Sequence, residues 1–515
     1  MMSDQPPGQG AGAGEDQGAS LLEPTGVPHL DDILGGGLPR GALVIVAGPP
    51  GSGKTTLANQ MAFAAAERGR RVLVLSALSE PTSKLLEHLR GFRFFNQNLI
   101  GDPLQFLSLE HFLSQGLEAT STGLLATAKA ARADFVVLDG FRGVRGVDPD
   151  PQRARQFLYD VGTTLSLQGA TTVITSEADA RDPAFYPELT TADVIIGLHF
   201  TLENVRHERG LEAIKIRGGG PLPGLHSLIL NAEGMTVYPR LEVRLPSGRG
   251  MPPVAGDRPE DPGRLPRATF DLPELDALLT GGLTRHTSTL LAGSPGVGKT
   301  HLAVHFALAG IHAGEPVVFL GFRETAAQLD YRAELVGLGE AWRAALASRG
   351  GLTLLRDDPL ELDPDQVADR LLGVLDRTGA QRLVLDSLAE LEEAVCERST
   401  GKRWRNYLVA LLAALRARGV TLLVVTETPA AIATDLRFAA EATAVLAENV
   451  LLLQQIAEHG QLRRVLAVVK TRFSAHTAGL REFVITESHG VRVWPASPDH
   501  PSWGAESPPS TALGR

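Results

Sequence analysis

Short unbroken apolar runs alternate with helical spacings along this chain, and the alternation occurs twice. "ALVIVAG" (42–48) is followed by "KTTLANQMAFAAAERG" (54–69), whose apolar residues recur at helical intervals. "STLLAG" (288–293) is followed by "KTHLAVHFALAGIHAG" (299–314) in the same way. Further on come "ADFVVLDG" (133–140) and "ATTVITSE" (170–177), matched by "AQRLVLDS" (380–387) and "VTLLVVTE" (420–427). A sheet with one wet face would alternate apolar and polar residues. Near-continuous Val/Leu/Ile runs separated by helices instead predict parallel strands buried on both faces.

Alignment of the two halves extends the repeat, at an offset of about 245 residues. "TGVPHLDDILGGGLPRG" (25–41) and "TFDLPELDALLTGGLTRH" (269–286) each read as a turn of helix ending in glycines. A chain of 515 residues accommodates two large domains. The reading is an α/β fold in which two tandem P-loop NTPase domains each have a mostly parallel twisted sheet with helices on both faces. The domains are placed at 21–244 and 268–496. The Pro- and Gly-rich stretch 245–267 is read as an extended linker, and 1–20 and 497–515 as disordered tails.

Between each first strand and its helix lies a phosphate cradle, "GPPGSGKT" (48–55) and "GSPGVGKT" (293–300). Glycines in such a loop let backbone N–H groups curl around phosphate oxygens, the lysine reaches the β/γ-phosphates, and the hydroxyl ligates Mg²⁺. The nucleotide-binding candidates are Gly48, Gly51, Ser52, Gly53, Lys54, Thr55 and Thr56 in the first half. In the second they are Gly293, Gly296, Val297, Gly298, Lys299, Thr300 and His301. Asp139 and Asp386 end apolar strands, where a hard oxygen would join Thr55 and Thr300 at an Mg²⁺ ion; the alternative is a strand-end Asp capping the next helix.

Late in each half a lysine and an arginine stand two residues apart, Lys215 with Arg217 in "EAIKIRGG" and Lys470 with Arg472 in "AVVKTRFS". Residues i and i+2 of a strand share a face, so each pair offers two cations to one spot. Each cradle already has its own lysine. The second pair therefore suits the nucleotide of a neighbouring subunit, as an arginine finger does, against the alternative of a solvated polar face.

Composition narrows the classes. A net charge of −10 weighs against a surface built for nucleic-acid phosphates. One cysteine, Cys396, leaves no internal disulfide, and no apolar run nears the roughly 18 residues of a membrane span. The expectation is a cytoplasmic protein without a leader. His301 and His305 at i, i+4 lack a third zinc ligand and read as structural, Cys396 reads as inert, and "GKRWRNY" (401–407) reads as a helix start with a solvated face.

The twin cradles, the strand-end aspartates, "TTVITSE" and above all "LEAIKIRG" resemble the KaiC family, tandem RecA-like ATPases of the bacterial circadian clock, over about residues 21 to 495. The resemblance implies ATP and Mg²⁺ as cofactors and six chains in a double ring, with ATP between subunits and protein signalling partners reading its state. It also implies two adjacent glutamates after the second strand, one of them activating the attacking water or hydroxyl. Here "LSEPTS" has Ser79 and Glu80, and "GFRETAAQ" has Arg323 and Glu324. Glu80 and Glu324 are the candidate catalytic bases, with an exposed acid at a helix start as the alternative. Arg323 is expected to favour the ionised form of Glu324. Clock-type members phosphorylate an adjacent Ser–Thr pair. Its place falls on Ala444 and Val445, with Thr443 one residue upstream, so an ATPase without that two-site cycle is expected. The alternatives to be tested are a recombination-type ATPase that grips DNA and a KaiC-like autokinase acting on a residue other than that pair.

Overall fold

The computed structural model describes residues 21–77, 81–148, 150–182, 186–203, 205–244, 265–397, 403–428, 446–458, 461–476, 479–487 and 490–494. Both expected tails, most of the expected linker, Glu80 and residues Thr443 to Val445 lie outside these. Packing divides the chain into two units, Met1–Arg244 and Leu245–Arg515.

In the first unit, β1 (Leu43–Ala47), β2 (Val72–Ser76), β3 (Leu104–Ser108), β4 (Phe135–Asp139), β5 (Thr171–Ser176) and β6 (Val194–Glu203) are parallel, in the spatial order β3-β2-β4-β5-β1-β6. Then β7 (Arg206–Ile216), β8 (His226–Asn231) and β9 (Gly234–Tyr238) extend the sheet antiparallel beyond β6, making nine strands. The second unit repeats this plan. There β10 (Ser288–Gly293), β11 (Val317–Gly321), β12 (Leu352–Arg356), β13 (Arg382–Asp386), β14 (Thr421–Glu427) and β15 (Asn449–Glu458) stand in the order β12-β11-β13-β14-β10-β15. Its antiparallel extension is β16 (Gln461–Lys470), β17 (Leu480–Thr486) and β18 (Gly490–Val493).

The unbroken apolar runs have the expected cause. Every residue of β1, β2, β4 and β5 is buried, because successive side chains enter two different cores. Val44, Val46, Val72 and Val74 pack with Leu57, Met61 and Phe63 of helix α1 (Lys54–Glu67). Leu43, Ile45, Leu73 and Leu75 pack on the other face with Phe157, Leu158 and Val161 of α2 (Pro151–Leu167). In the second unit, α3 (Lys299–His312) places Leu302, Phe306 and Ala307 against Leu291, Phe319, Val384 and Leu423.

Strand order sets the place of the chemistry. In each sheet the first strand lies between two strands that come late in the sequence, so the connection leaving it and the one leaving its late neighbour β5 or β14 run in opposite directions and open a crevice at the carboxyl edge. Within the basic stretch 401–407, α4 (Arg403–Ala417) starts at Arg403 with Arg405 and Asn406 exposed, as expected, and it also buries Trp404 and Tyr407 in its first turns. Arg403 is not solvated either: Asp365, itself buried, accepts from its Nη2 at 2.6 Å. Among the described residues no helix is long and apolar enough to cross a membrane.

Candidate active sites

Both cradles stand at carboxyl edges. β1 ends at Ala47, the loop turns through Gly51 and Gly53 at φ of 78° and 100°, and α1 starts on Lys54. Those left-handed φ values are open to glycine and strained for other residues. Gly48 is held for a different reason: a Cβ there would lie 2.5 Å from the carbonyl oxygen of Leu198 on β6. The second loop repeats both features, with Gly296 and Gly298 at φ of 73° and 116° and a Cβ on Gly293 falling 2.5 Å from the Leu453 carbonyl.

Each lysine folds back over its own loop. Lys54 Nζ donates to the carbonyls of Gly48 and Pro49, and Lys299 Nζ to those of Gly293 and Ser294, all at 2.9 Å. Burial pushes both amines below the ordinary lysine value, against the pull of Glu177 and Asp139 on Lys54 and of Glu427 and Asp386 on Lys299. Thr55 Oγ1 donates to Asp139 Oδ1 at 3.1 Å, and Thr300 Oγ1 to Asp386 Oδ2 at 2.8 Å. Thr175 on β5 donates to the same Asp139 oxygen at 2.5 Å and accepts from Gly140 N. Burial also pushes the Asp386 carboxyl above its usual range, opposed by the Thr300 bond and Lys299.

These loops fit a nucleotide phosphate and a hard cation. The hydroxyls of Ser52 and Ser294 are buried inside the turns without a hydrogen-bond partner. Such groups are costly unless a ligand completes them. A carboxylate beside a threonine hydroxyl is the oxygen pair that Mg²⁺ takes, alongside phosphate oxygens. Thr55 and Thr56 wall a cavity of about 270 Å³ with Ser76, His88 and Phe92. Near the second cradle, Lys299, Thr300, His301, Glu324 and Asp386 share one of about 250 Å³. Val297 is fully buried beneath that loop.

A family model described as "ATPase: KaiC" matches residues 23–242 and again 270–497. The chain belongs to the KaiC ATPase family. It is 24% identical over 493 residues to the circadian clock protein KaiC3 of Synechocystis sp., covering 92% of this chain and 91% of that one. It is likewise 24% identical over 483 residues to the circadian clock oscillator protein KaiC of Thermostichus vulcanus, covering 90% and 87%. The relationship is distant. The two units are tandem RecA-like α/β domains of a KaiC-type ATPase.

The acid after the second strand departs in detail from the sequence expectation. Glu324 Oε1 lies 2.7 Å from Arg332 Nη2, on helix α5 (Ala326–Leu335), while Oε2 is buried without a hydrogen-bond partner. Arg323 does not ionise its neighbour: it pairs with Glu390 and approaches Glu427 at 3.7 Å. Adjacent residues in sequence point apart, so the nearest cation in the chain is the wrong one to choose. Burial raises the Glu324 carboxyl above its ordinary value, Arg332 lowers it, and Asp386 raises it further.

The Lys-x-Arg pairs of this KaiC relative stand at the opposite edge of each sheet from the cradle. Lys215 pairs in register with Ile195 near the start of β6, and Lys470 with Val450 near the start of β15, whereas the cradles follow the ends of the parallel strands β1 and β10. Lys215 Nζ donates to the Thr190 carbonyl at 3.2 Å and Arg217 Nη1 to Asp193 at 3.0 Å. Lys470 Nζ donates to the Ala447 carbonyl at 2.7 Å, and Arg472 is exposed. Within each pair the cations are close, since burial first and the neighbouring arginine second depress both lysine amines.

Two acids escaped sequence reasoning. Glu177 and Glu427 follow or end the strands next to the cradle strands, and each acts electrostatically on its cradle lysine. The signal was available, because "TTVITSE" and "TLLVVTE" both break their apolar run with a glutamate at the same place. His301 lines the second cavity, with Nδ1 buried and without a hydrogen-bond partner. His305 is a core acceptor. Its Nε2 takes the Val491 N–H at 3.0 Å, and burial lowers its pKa to about 4. Burial raises the Cys396 thiol above its ordinary value, away from the reactive thiolate.

Proposed function

We propose that each half of this chain binds one ATP with Mg²⁺ and that the protein is a nucleotide-driven signalling or timing ATPase, assembled as a six-membered double ring with each ATP between subunits. The observation that carries this reading is the separation just described: a cradle with its threonine–aspartate pair at one edge of each sheet, and a cationic pair at the other. One edge of a subunit holds the nucleotide, and the other edge of its neighbour completes it. Bound Mg·ATP supplies a phosphoryl group for transfer to water. Lys54 and Lys299 leave their loop carbonyls for the phosphates, Thr55 with Asp139 and Thr300 with Asp386 hold the cation, and Glu324, with Glu80 in the first half, orients the water and takes its proton. A carboxyl raised by burial is a stronger base than an ordinary glutamate.

The protein with ATP present, imaged in negative stain, is expected to show six-fold double-tiered rings, and its turnover should be insensitive to single-stranded DNA. Single-tiered filaments with strong stimulation by DNA would replace this reading with the recombination-type one.

Output follows nucleotide state rather than phosphate marks. Ala444 and Val445 have no side-chain oxygen to accept a phosphoryl group, and Thr443 is displaced by one residue along the chain. Incubation with labelled ATP is expected to release phosphate and leave residues 440–450 unlabelled; stoichiometric label there, on Thr443 for example, would refute this.

A further inference from the structure

At each cradle an arginine stands beside the strand-end glutamate, and the two arginines come from different parts of the fold. In the first domain, Arg142 lies on the short helix Phe141–Arg145 that follows β4, three residues after Asp139, and its Nη1 donates to Glu177 at 2.8 Å. In the second domain the residue three after Asp386 is Ala389. Its place is filled from elsewhere: Arg323, two residues past the end of β11, pairs with Glu390 and reaches to 3.7 Å from Glu427. The first-half counterpart of Arg323 is Ser79. Each half therefore has one arginine at this spot, and neither position has an arginine in both halves.

Glu177 and Glu427 adjoin the cradles. The first glycine of the first cradle, Gly48, donates its N–H to the Ser176 carbonyl at 3.1 Å, and Gly293 pairs in register with Glu427 itself. Arg323 lines the same cavity as Lys299, Thr300 and Asp386 and depresses the Lys299 amine, so its charge faces the cradle. Left alone, either glutamate would repel the end of a triphosphate. The arginine offsets that charge. Arg323, 62% exposed, is held first by the buried Glu390, whereas Arg142 is 77% exposed and its Glu177 is 36% exposed. An ion pair so exposed is weak and screened. A phosphate with its doubled charge and several acceptor oxygens is the stronger partner for a guanidinium.

We propose that Arg142 and Arg323 are γ-phosphate sensors acting within their own subunit, Arg142 exchanging Glu177, and Arg323 exchanging Glu390 and Glu427, for the terminal phosphate when ATP is bound and returning to them with ADP. No bond to phosphorus is made or broken in this exchange. One guanidinium moves between anions, and the released Glu177, or Glu390 with Glu427, reports the presence of the third phosphate. The inference rests on the nucleotide-site reading above and refines it, since the discrimination between ATP and ADP would lie in these side chains rather than in the cradle alone.

The test isolates one site at a time. Arg142→Ala is placed in a full chain carrying Lys299→Ala, and Arg323→Ala in one carrying Lys54→Ala; affinities are then measured for ADP and for the imido analogue of ATP, with Mg²⁺. Loss of a charge-assisted contact to phosphate is expected to weaken the triphosphate about 10- to 100-fold. ADP should change by less than about twofold, because it lacks the group contacted. Glu177→Gln or Glu427→Gln should act in the opposite direction, tightening the triphosphate, since either change removes both a competitor for the arginine and a negative charge beside the terminal phosphate. Equal weakening of both nucleotides, or no change in either, overturns the proposal. If the single-cradle parent chains bind neither nucleotide, the nucleotide-site reading has failed and the sensor falls with it. Both arginines are exposed, and after Arg323→Ala the buried Glu390 keeps the hydrogen bond that Ser387 Oγ donates to it at 2.7 Å; the ligand-free melting midpoint of each variant checks that it is folded.

Discussion

Replacing Arg217 or Arg472 with alanine is expected to cut ATP hydrolysis at the corresponding tier by about 10³- to 10⁵-fold, the range for an arginine finger that acts fully. The size follows from distance. β1 and β10 have five and six residues, at about 3.3 Å each. That places the Lys-x-Arg pairs well over 10 Å from the cradle of their own sheet, beyond the reach of an arginine rooted at the far edge. Only another subunit can bring the two edges together. Mixing decides it: on the proposed ring, chains carrying Arg217→Ala and chains carrying Lys54→Ala should each be inactive at the first site, yet a mixed ring would contain interfaces with an intact cradle from one and an intact finger from the other. Turnover should recover on mixing, in backgrounds where the second site is disabled by Lys299→Ala. Failure to recover, or a monomer that hydrolyses as fast as the assembly, would remove the shared-site idea. The two tiers should not respond alike. Arg217 must leave Asp193, whereas Arg472 has no ion pair among the described residues and Glu448, in the place of Asp193, is engaged by Arg416.

The parts of this molecule that were legible in the sequence are those fixed by local rules. Val44 and Val46 face one core while Leu43 and Ile45 face the other, and only a run with no polar residue can satisfy both, so the strand and its burial were visible in "ALVIVAG". The cradle glycines are equally local, since φ values above 70° at Gly51 and Gly296 are set by the loop itself. Pairings between distant segments were not legible. Arg332 rather than Arg323 meets Glu324 because α5 carries it back over the cavity, which a reading of neighbours along the chain cannot anticipate. Arg382 is a sharper case. It is 1% exposed at the start of β13, paired with Glu315 and donating to the Thr269 and Phe306 carbonyls. Nothing in "AQRLVLDS" distinguishes it from a surface residue flanking a strand. Glu177 and Glu427 fall between these cases, since the repeat made them visible and only the sheet order showed what they adjoin.

Lys54→Ala and Lys299→Ala are each expected to remove one of two bound ATP per chain while the affected domain stays folded. Each amine is partly desolvated and pushed toward its neutral form, with its two bonds going only to carbonyls of its own loop. Truncation therefore removes little that holds the domain together, but it deletes the charge that meets the β- and γ-phosphates. The same contrast appears in thermal unfolding. A ligand at 100 times its dissociation constant stabilises the domain that binds it by about 2.7 kcal/mol. For domains of this size that is a rise of roughly 5 to 10 °C in the domain's midpoint. In the parent chain both domains should show the rise with Mg·ATP. In Lys54→Ala only the second should, and in Lys299→Ala only the first, with the ligand-free midpoints close to those of the parent. A parent stoichiometry of one ATP per chain would mean that one cradle is idle. A ligand-free midpoint that collapses in either variant would instead make the lysine a structural strut, and the carbonyl bonds seen in each loop its true employment.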